Sequence, residues 1–171
     1  MGVQIQTPNR LVIDFLDPAQ VLQWNPVNDR VMGGVSTSQA TAMAEGMAFG
    51  GVVSLDNNGG FASLRALPCK YGLDGVIALV LRVWGDGKAY KFGIRTDEAY
   101  DGVQYQMRFA TQAGEWQDIC LPLNEFQPTF RGRTVQAPTL DPARIRVFGL
   151  LISDRQAGPF RLVVESIKAQ F

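Results

Sequence analysis

Apolar and polar residues alternate in short segments along most of this chain. Alternation with a period of two is typical of β-strands that bury one face, because successive side chains of a strand point to opposite sides of its sheet. A short helix is predicted from Pro18 to about Trp24, because Asp17 can cap it and proline is favoured in the first turn. The alternation predicts ten strands, at residues 11–15, 35–43, 47–55, 61–67, 76–84, 89–95, 103–109, 116–121, 144–153 and 160–169.

Turn residues separate these segments and indicate the fold class. Glu45-Gly46, Gly85–Gly87 and Ala113-Gly114 have turn compositions, and Asn57–Gly60 is predicted to be a tight hairpin. Residues 121–142 are predicted to form a proline-containing loop. The segment 144–153 is apolar at both parities, which indicates a central strand covered on both faces. Many short strands without crossover helices predict one all-β domain over residues 1–171, an antiparallel sandwich.

The polar side of four strands is the first candidate for function. Such a side can simply be solvated, as is ordinary in a sandwich. Alternatively it is a binding face, because arginine, glutamine and tryptophan suit hydroxyl-rich, carboxylate or protein surfaces. If the strands at 61–67, 76–84, 89–95 and 103–109 share one sheet, its outer face carries Arg65, Arg82, Trp84, Lys91, Arg95, Gln106 and Arg108.

Two asparagine-containing loops carry further candidate residues. Asn28, Asp29 and Arg30 precede Gly33-Gly34 and form either a recognition loop or a self-satisfied turn that fixes the next strand. If Gly33 needs a positive φ, replacing it by valine destabilises the protein. Asn57 and Asn58 can hold sugar hydroxyls at a loop tip, but turn formation is the default explanation and nothing in the sequence requires a sugar.

Two charged segments complete the set of candidates. Arg131 and Arg133 flank a glycine and can bind a carboxylate or a phosphate, or pair inside the fold with Asp141 or Asp154. The acidic residues of the segment 97–101 lack the spacing of a calcium-binding loop, so no metal site is predicted.

The composition excludes several classes of function. The chain has 16 Lys and Arg, 16 Asp and Glu, and no histidine. Zero net charge provides no general attraction to nucleic acid, and we expect no nucleic-acid partner. Without histidine, Ser-His-Asp and Cys-His catalysis are excluded. Catalysis by a carboxylate pair or a lysine is not excluded, but no Asp or Glu pair has a recognisable setting. We therefore predict no catalytic residue, no cofactor and no enzyme activity. Cys69 and Cys120 are predicted to be free and buried.

The distribution of apolar residues bears on the location of the protein. The longest apolar run, residues 76–81, is far shorter than a membrane-spanning helix. The opening residues lack the basic start and apolar core of a secretory signal. We therefore expect a cytoplasmic protein without direct membrane insertion, which meets a membrane only through a partner.

Five segments, spread in order over most of the chain, resemble the complex I intermediate-associated protein 30 family. They are V-N-D-R-V-M-G-G-V-S (27–36), F-x-G-x-V-S-L-D-N-N-G-G-F-A-S-L-R (49–65), L-R-V-W-G-D-G-K-A-Y-K-F (81–92), L-P-L-N-E-F-Q-P-T-F-R-G-R (121–133) and G-L-L-I-S-D (149–154). The resemblance implies a fold similar to galactose-binding jelly rolls and carbohydrate-binding modules, which agrees with the predicted strands. Mitochondrial members act as assembly factors for respiratory complex I, and plant relatives serve photosystem biogenesis.

The resemblance implies a non-catalytic binding domain, and the chain looks like a bacterial stand-alone member. Its expected role is that of an assembly or chaperone-like factor. The expected protein partner is a subunit of a membrane electron-transfer complex, respiratory or photosynthetic. The alternative is a carbohydrate-binding module in which Arg82, Trp84, Arg95 and Gln106 line the face that meets the sugar.

Overall fold

A computed structural model describes residues 9–28, 33–97 and 102–171. A four-residue helix, α1 (Pro18–Val21), begins after Asp17, whose carboxylate accepts a hydrogen bond from the Ala19 amide. Further single turns of 3-10 helix lie at Asp56–Asn58, Leu123–Glu125 and Pro142–Arg144. No helix in the described ranges could span a bilayer.

The strands in these ranges are β1 (Arg10–Asp14), β2 (Trp24–Pro26), β3 (Thr37–Met43), β4 (Gly46–Val53), β5 (Ala62–Ala66), β6 (Ala78–Trp84), β7 (Ala89–Arg95), β8 (Gln104–Ala110), β9 (Trp116–Pro122), β10 (Gln127–Phe130), β11 (Arg133–Thr134), β12 (Val147–Ile152) and β13 (Gly158–Gln170).

The strands form two antiparallel sheets. The six-stranded sheet has the order β3-β4-β13-β6-β9, and β1 also pairs with β13. The seven-stranded sheet has the order β11-β10-β8-β7-β12-β5-β2. Strand β13 pairs with three other strands. Its residues 158–164 pair with β4, its residues 166–169 pair with β1, and its residues 163–170 pair with β6. It is the central strand of its sheet.

Aromatic side chains join the two sheets in the core. Phe49 of β4 packs edge-on against Phe160 of β13 and against Tyr90 of β7, with ring centroids 4.9 and 6.1 Å away. Burial raises the pKa of Tyr90 far above its usual value, and the charge of Asp86, which accepts from the phenol, acts in the same direction. Fully burying one large apolar side chain contributes about 1.5–3 kcal/mol. The predicted all-β antiparallel sandwich is confirmed.

The ten predicted strands are all present to within three residues at each end, but three further strands were not predicted. Strand β2 replaces the end of the predicted helix because Trp24 pairs with Ala66 and packs edge-on against Phe15. Strands β10 and β11 form a hairpin inside the predicted loop 121–142. Strands β2, β10 and β11 are each too short to show a clear alternation of apolar and polar residues.

The predicted tight hairpin at Asn57–Gly60 is wrong. Strands β4 and β5, which flank it, belong to different sheets, so this segment carries the chain across the sandwich. It overlaps the 3-10 turn Asp56–Asn58, in which Asn57 adopts a left-handed backbone with a φ of 56°. Asparagine reaches this region more easily than most residues. The segment therefore connects the layers and pairs no strands.

Candidate functional site

The outward face of the seven-stranded sheet carries a row of polar side chains with two glycines at its middle. Strand register places one residue of each of six neighbouring strands side by side. Across the sheet, the row is Gln127, Gln106, Gly93, Gly149, Arg65 and Asn25. Because both glycines lie in adjacent central strands, the row has a gap at its middle.

Neither glycine is required by its backbone angles, since neither Gly93 nor Gly149 has a positive φ. The space above Gly93 is the reason for its identity. A Cβ there would lie 2.1 Å from Nε2 of Gln104, and a Cβ on Gly149 would lie 3.6 Å from the same atom. Glycine inside a strand often marks a place where another group approaches the backbone closely. Here that group is the Gln104 amide.

Gln106 holds this amide in place, because its Nε2 donates to Oε1 of Gln104 at 2.6 Å. The Nε2 group of Gln104 then lies over the two glycines with no acceptor among the described residues. We call Gly93, Gly149, Gln104 and Gln106 the glycine trough. It presents amide hydrogen-bonding groups on a floor that has no side chains of its own.

A cation pair lies next to the trough along the same strands. Lys91 and Arg108 are directly opposite each other on β7 and β8, and both contact Asp154. Nζ of Lys91 and Nε of Arg108 each lie 3.2 Å from a carboxylate oxygen of Asp154. Partial burial acts to raise the pKa of Asp154, but hydrogen bonds and charges from both cations outweigh it and lower that pKa.

The turn that presents Asp154 has an uncommon backbone. Asp154 and Arg155 both adopt left-handed angles, with φ of 61° and 57°. Such angles disfavour residues that carry a Cβ, by roughly 1–2 kcal/mol each. Gln156 secures the turn, because its side-chain amide accepts from the Ala89 amide and donates to the carbonyls of Ala89 and Ser153. The carboxylate is therefore held against the cation pair by a fixed turn.

Arg65 and Arg95 are on the same outward face, as predicted, but in different settings. Arg65 is half-buried in the row described above. Arg95 is 8% exposed, and its Nη1 donates to the carbonyl of Gly102 at 3.0 Å. Arg95 thus supports the end of the connection between β7 and β8.

Arg82 and Trp84 do not belong to this face, and their predicted placement is wrong. They lie on β6, which is part of the six-stranded sheet, so they face away from the other five predicted residues. Arg82 pairs with Asp118 and Glu165 at 3.3 and 3.2 Å, and its guanidinium carbon lies 5.4 Å from the Trp116 ring centroid. Trp84 is opposite Trp116 in the β6–β9 register. Side-chain parity was correct within each strand, but the strands do not share a sheet.

The loop candidates divide into structural, exposed and undescribed residues. Asn28 is structural, because its Oδ1 accepts from Ser38 Oγ at 2.6 Å and from the Ser63 amide at 3.1 Å. Asp29 and Arg30 lie outside the described residues, as do Glu98 and Asp101 of the acidic segment, while only the backbone of Asn58 is described. Asn57 is exposed.

Arg131 and Arg133 lie at the exposed tip of the β10–β11 hairpin. The guanidinium carbon of Arg131 lies 5.2 Å from the ring centroid of Phe130. The acidic partners considered for them are engaged elsewhere. Asp141 accepts from the Ala143 amide, and Asp154 binds the cation pair.

Several features of the site were not predicted. Gly93 interrupts an otherwise strong strand, which is a signal in the sequence, and Gln104 has the same polar parity as Gln106 and Arg108. The sequence carries no such signal for Gly149. The two cysteines are free, as predicted, but both are exposed, so the prediction that they are buried is wrong. Within the described ranges, no three His, Cys, Asp or Glu side chains gather in a group that could hold a metal.

Comparison with solved structures shows the fold. The family 11 carbohydrate-binding module of a Clostridium thermocellum cellulase superposes with a TM-score of 0.65 and 16% identity, covering 95% of this chain and 94% of that one. A further structure of this module, in complex with a β-1,3-1,4-linked tetrasaccharide, superposes with the same TM-score at 17% identity, covering 95% of each chain. The fold is a jelly-roll β-sandwich of the galactose-binding-like kind.

Sequence comparison gives the family. "Complex I intermediate-associated protein 30, mitochondrial" of Neurospora crassa is 27% identical over 124 residues, which are 68% of this chain and 45% of that protein. The mouse protein of the same name is 34% identical over 96 residues, 52% of this chain and 29% of that protein. The matched region thus spans less than half of either relative. The family model for complex I intermediate-associated protein 30 matches residues 13–164, and the chain belongs to that family.

Proposed function

We propose that this protein is a non-catalytic binding domain that acts as an assembly or chaperone-like factor for a membrane electron-transfer complex. The observation that carries the proposal is the family match over residues 13–164, which covers most of both sheets and all of the trough. Relatives in fungi and mammals are named for association with a complex I intermediate. The protein partner would be a subunit of such a complex, met from the cytoplasmic side of the membrane.

We place the contact with this partner on the outward face of the seven-stranded sheet. The glycine trough presents the side-chain amides of Gln104 and Gln106, with the Gln104 amide lying directly over the backbone of the two glycines. The cation pair beside it adds charge that one carboxylate only partly balances. A surface of amide and guanidinium groups suits the polar rim of a protein interface.

The test is capture of the partner from detergent-solubilised membranes by the immobilised protein, followed by mass spectrometry. Gly93→Ala is the informative variant, because the added methyl group displaces the Gln104 amide, the end of a flexible side chain. Gly50→Ala is the matched control on the other sheet, where the nearest atom to a new Cβ is 3.5 Å away. We expect enrichment of redox-complex subunits by the unmodified protein and by Gly50→Ala, and severalfold less by Gly93→Ala.

Failure to enrich any redox-complex subunit over empty resin would contradict the assembly role. Equal enrichment by all three proteins would retain that role but remove the trough from the interface. The double variant Arg131→Ala with Arg133→Ala would then show whether the tip of the β10–β11 hairpin makes the contact instead.

Carbohydrate binding is the second candidate, and the tryptophan pair favours it. Trp84 and Trp116 are neighbours on β6 and β9, and Trp116 is 36% exposed, so the pair can offer an aromatic surface to a sugar ring. In the described strands of the seven-stranded sheet, the only exposed aromatic side chain is Phe130 at the tip of the β10–β11 hairpin, where Arg131 lies against its ring. A sugar site would therefore lie on the six-stranded sheet. Binding to a glycan array that is lost in Trp84→Ala would support it, and absence of binding would remove it.

A further inference from the structure

We propose that the cation pair Lys91–Arg108, with the adjacent glycine trough, binds an extended acidic segment of the protein partner through its carboxylate side chains. This inference rests on the proposed protein-binding function and specifies the chemistry of the partner. Four observations carry it: the local charge, the open edge of one guanidinium, the spacing of the two subsites, and the carboxylate already bound there.

The cation pair has a surplus of positive charge. Lys91 and Arg108 share the single carboxylate of Asp154, so two cations face one anion. In the described residues, the Lys91 amine donates to Asp154 and to the hydroxyl of Ser153, and the Arg108 guanidinium donates to Asp154. One unit of positive charge remains for an incoming group.

Arg108 also has unused hydrogen-bonding capacity. Its side chain is 58% exposed, and it reaches Asp154 only through Nε. Among the described residues no acceptor lies against its Nη1 or Nη2 groups. These two groups form a planar fork that matches the two oxygens of a carboxylate. A second carboxylate can therefore bind without displacing the first.

The trough lies one step along the same strands, at the spacing of an extended peptide. Gly93 and Gln106 form the next outward-facing pair beside Lys91 and Arg108, two residues after Lys91 on β7 and two residues before Arg108 on β8. Two residues of a strand rise by about 6.6 Å, which is also the separation of side chains i and i+2 in an extended segment. If one carboxylate of an extended segment binds the cation pair, the side chain two residues along that segment lies at the Gln104 and Gln106 amides.

Asp154 shows what chemistry the pair accepts. Its carboxylate is an intramolecular occupant of the cation pair, presented by a left-handed residue in a secured turn. An acidic side chain of a partner would make the same kind of contact. Replacing Asp154 by asparagine leaves the backbone undisturbed, because asparagine tolerates left-handed angles, and it removes the competing negative charge.

The experiment is fluorescence anisotropy with a labelled octapeptide of alternating glutamate and glycine, at low ionic strength. We expect saturable binding that Arg108→Gln weakens by about tenfold, the effect of losing a hydrogen-bonded charge. Arg108→Lys should keep part of the affinity, since it keeps the charge and loses the fork. Asp154→Asn should bind the peptide severalfold more tightly than the unmodified protein.

Lys168→Gln is the control, because it removes an exposed cation from the outward face of the six-stranded sheet. It should leave the affinity unchanged within about twofold, because Lys168 lies on the other sheet and contributes only a long-range charge effect, without a contact to the bound peptide. Circular dichroism confirms that each variant is folded. The inference is overturned if Lys168→Gln weakens binding as much as Arg108→Gln does. It is also overturned if the peptide does not bind, or if single-stranded DNA of equal charge binds more tightly through the same residues.

These outcomes separate the inference from the function on which it rests. Capture of redox-complex subunits that depends on Gly93, together with no binding of the acidic peptide, would leave the assembly role standing and overturn only the ligand class. Peptide binding without any such capture would contradict the assembly role and support the acidic-segment site.

Discussion

At the scale of single residues, one asparagine ties the two layers together. Asn28 accepts hydrogen bonds from Ser38, on the edge strand of the six-stranded sheet, and from the Ser63 amide, on β5 of the seven-stranded sheet. The Ser63 hydroxyl donates in turn to the carbonyl of Val27. Both donors are partly buried, so they would be costly to leave without an acceptor. This residue therefore organises the structure around it and is not a free recognition group.

Replacing Asn28 by alanine tests that role. We expect a loss of about 1–3 kcal/mol in the free energy of unfolding, because the Ser63 amide loses its acceptor. Urea denaturation measures it directly. Asn25→Ala is the control, since Asn25 is exposed and its amide makes only a long contact of 3.5 Å with the Gln23 carbonyl. Equal stability of the two variants would contradict the structural role of Asn28.

Gly33 has the positive φ on which the predicted effect of its replacement depends, at 86°. No atom lies within 4 Å of a Cβ built there, so Gly33→Val acts through backbone strain alone. We expect a cost of about 1–2 kcal/mol, which lowers the Tm of a domain of this size by about 2–8 °C. Gly33→Asn should lose less, because asparagine tolerates a positive φ. A thermal melt in which both variants match the unmodified protein would show that this angle carries no strain.

At the scale of elements, the edge strand β9 has the properties of a protected edge. It pairs with β6, and no described strand pairs with its other side. The Leu123 amide donates to the Ile77 carbonyl, so by alternation the backbone groups of Trp116, Asp118 and Cys120 point away from β6. Open edges invite pairing with other chains, and a charge at mid-strand or a proline discourages it. Asp118 and Pro122 occupy such positions here.

Replacing Asp118 by valine should therefore increase self-association relative to the unmodified protein. The variant removes the central charge of β9 and raises its strand propensity. Sedimentation velocity at increasing protein concentration measures the effect. Glu115→Val, which removes an exposed carboxylate just before the strand, is the control. If the two variants sediment alike, the charge on β9 does not protect its edge.

At the scale of the whole molecule, acid sensitivity follows from the cation pair. The folded-state pKa of Asp154 is lowered, so its contribution to stability is fully present above the ordinary pKa of an aspartate and is lost as the pH falls through the lowered value. The contribution is under about 1 kcal/mol because both ends of the pair are partly exposed. The stability difference between the unmodified protein and Asp154→Asn should therefore shrink on going from pH 7 to about pH 3.

Urea denaturation at both pH values tests this expectation. Asp74→Asn serves as the reference for an exposed carboxylate. A difference between the unmodified protein and Asp154→Asn that stays constant over this range would show that the carboxylate of Asp154 is not stabilised by its cations.

How far the sequence could predict the structure depends on the range of the interactions involved. Alternation is a local property, so the strands and the inward and outward parity of Lys91, Arg95 and Gln106 could be predicted. Sheet membership depends on pairing between distant segments, which is why Arg82 and Trp84 were assigned to the wrong face. The glycine trough was missed for the same reason, because Gly93 and Gly149 become neighbours only through the β7–β12 register. The absence of enzyme activity stays a prediction.

The central position of β13 has a consequence for how the protein forms during synthesis. Strands β1, β4 and β6 all pair with residues 158–170, so each of them lacks one neighbour in the six-stranded sheet until those residues have left the ribosome. Contacts so distant along the chain close slowly and leave strand edges exposed meanwhile. A nascent chain interrupted before residue 158 would present several unsatisfied edges at once, and would depend on the cell's holding chaperones until translation resumed.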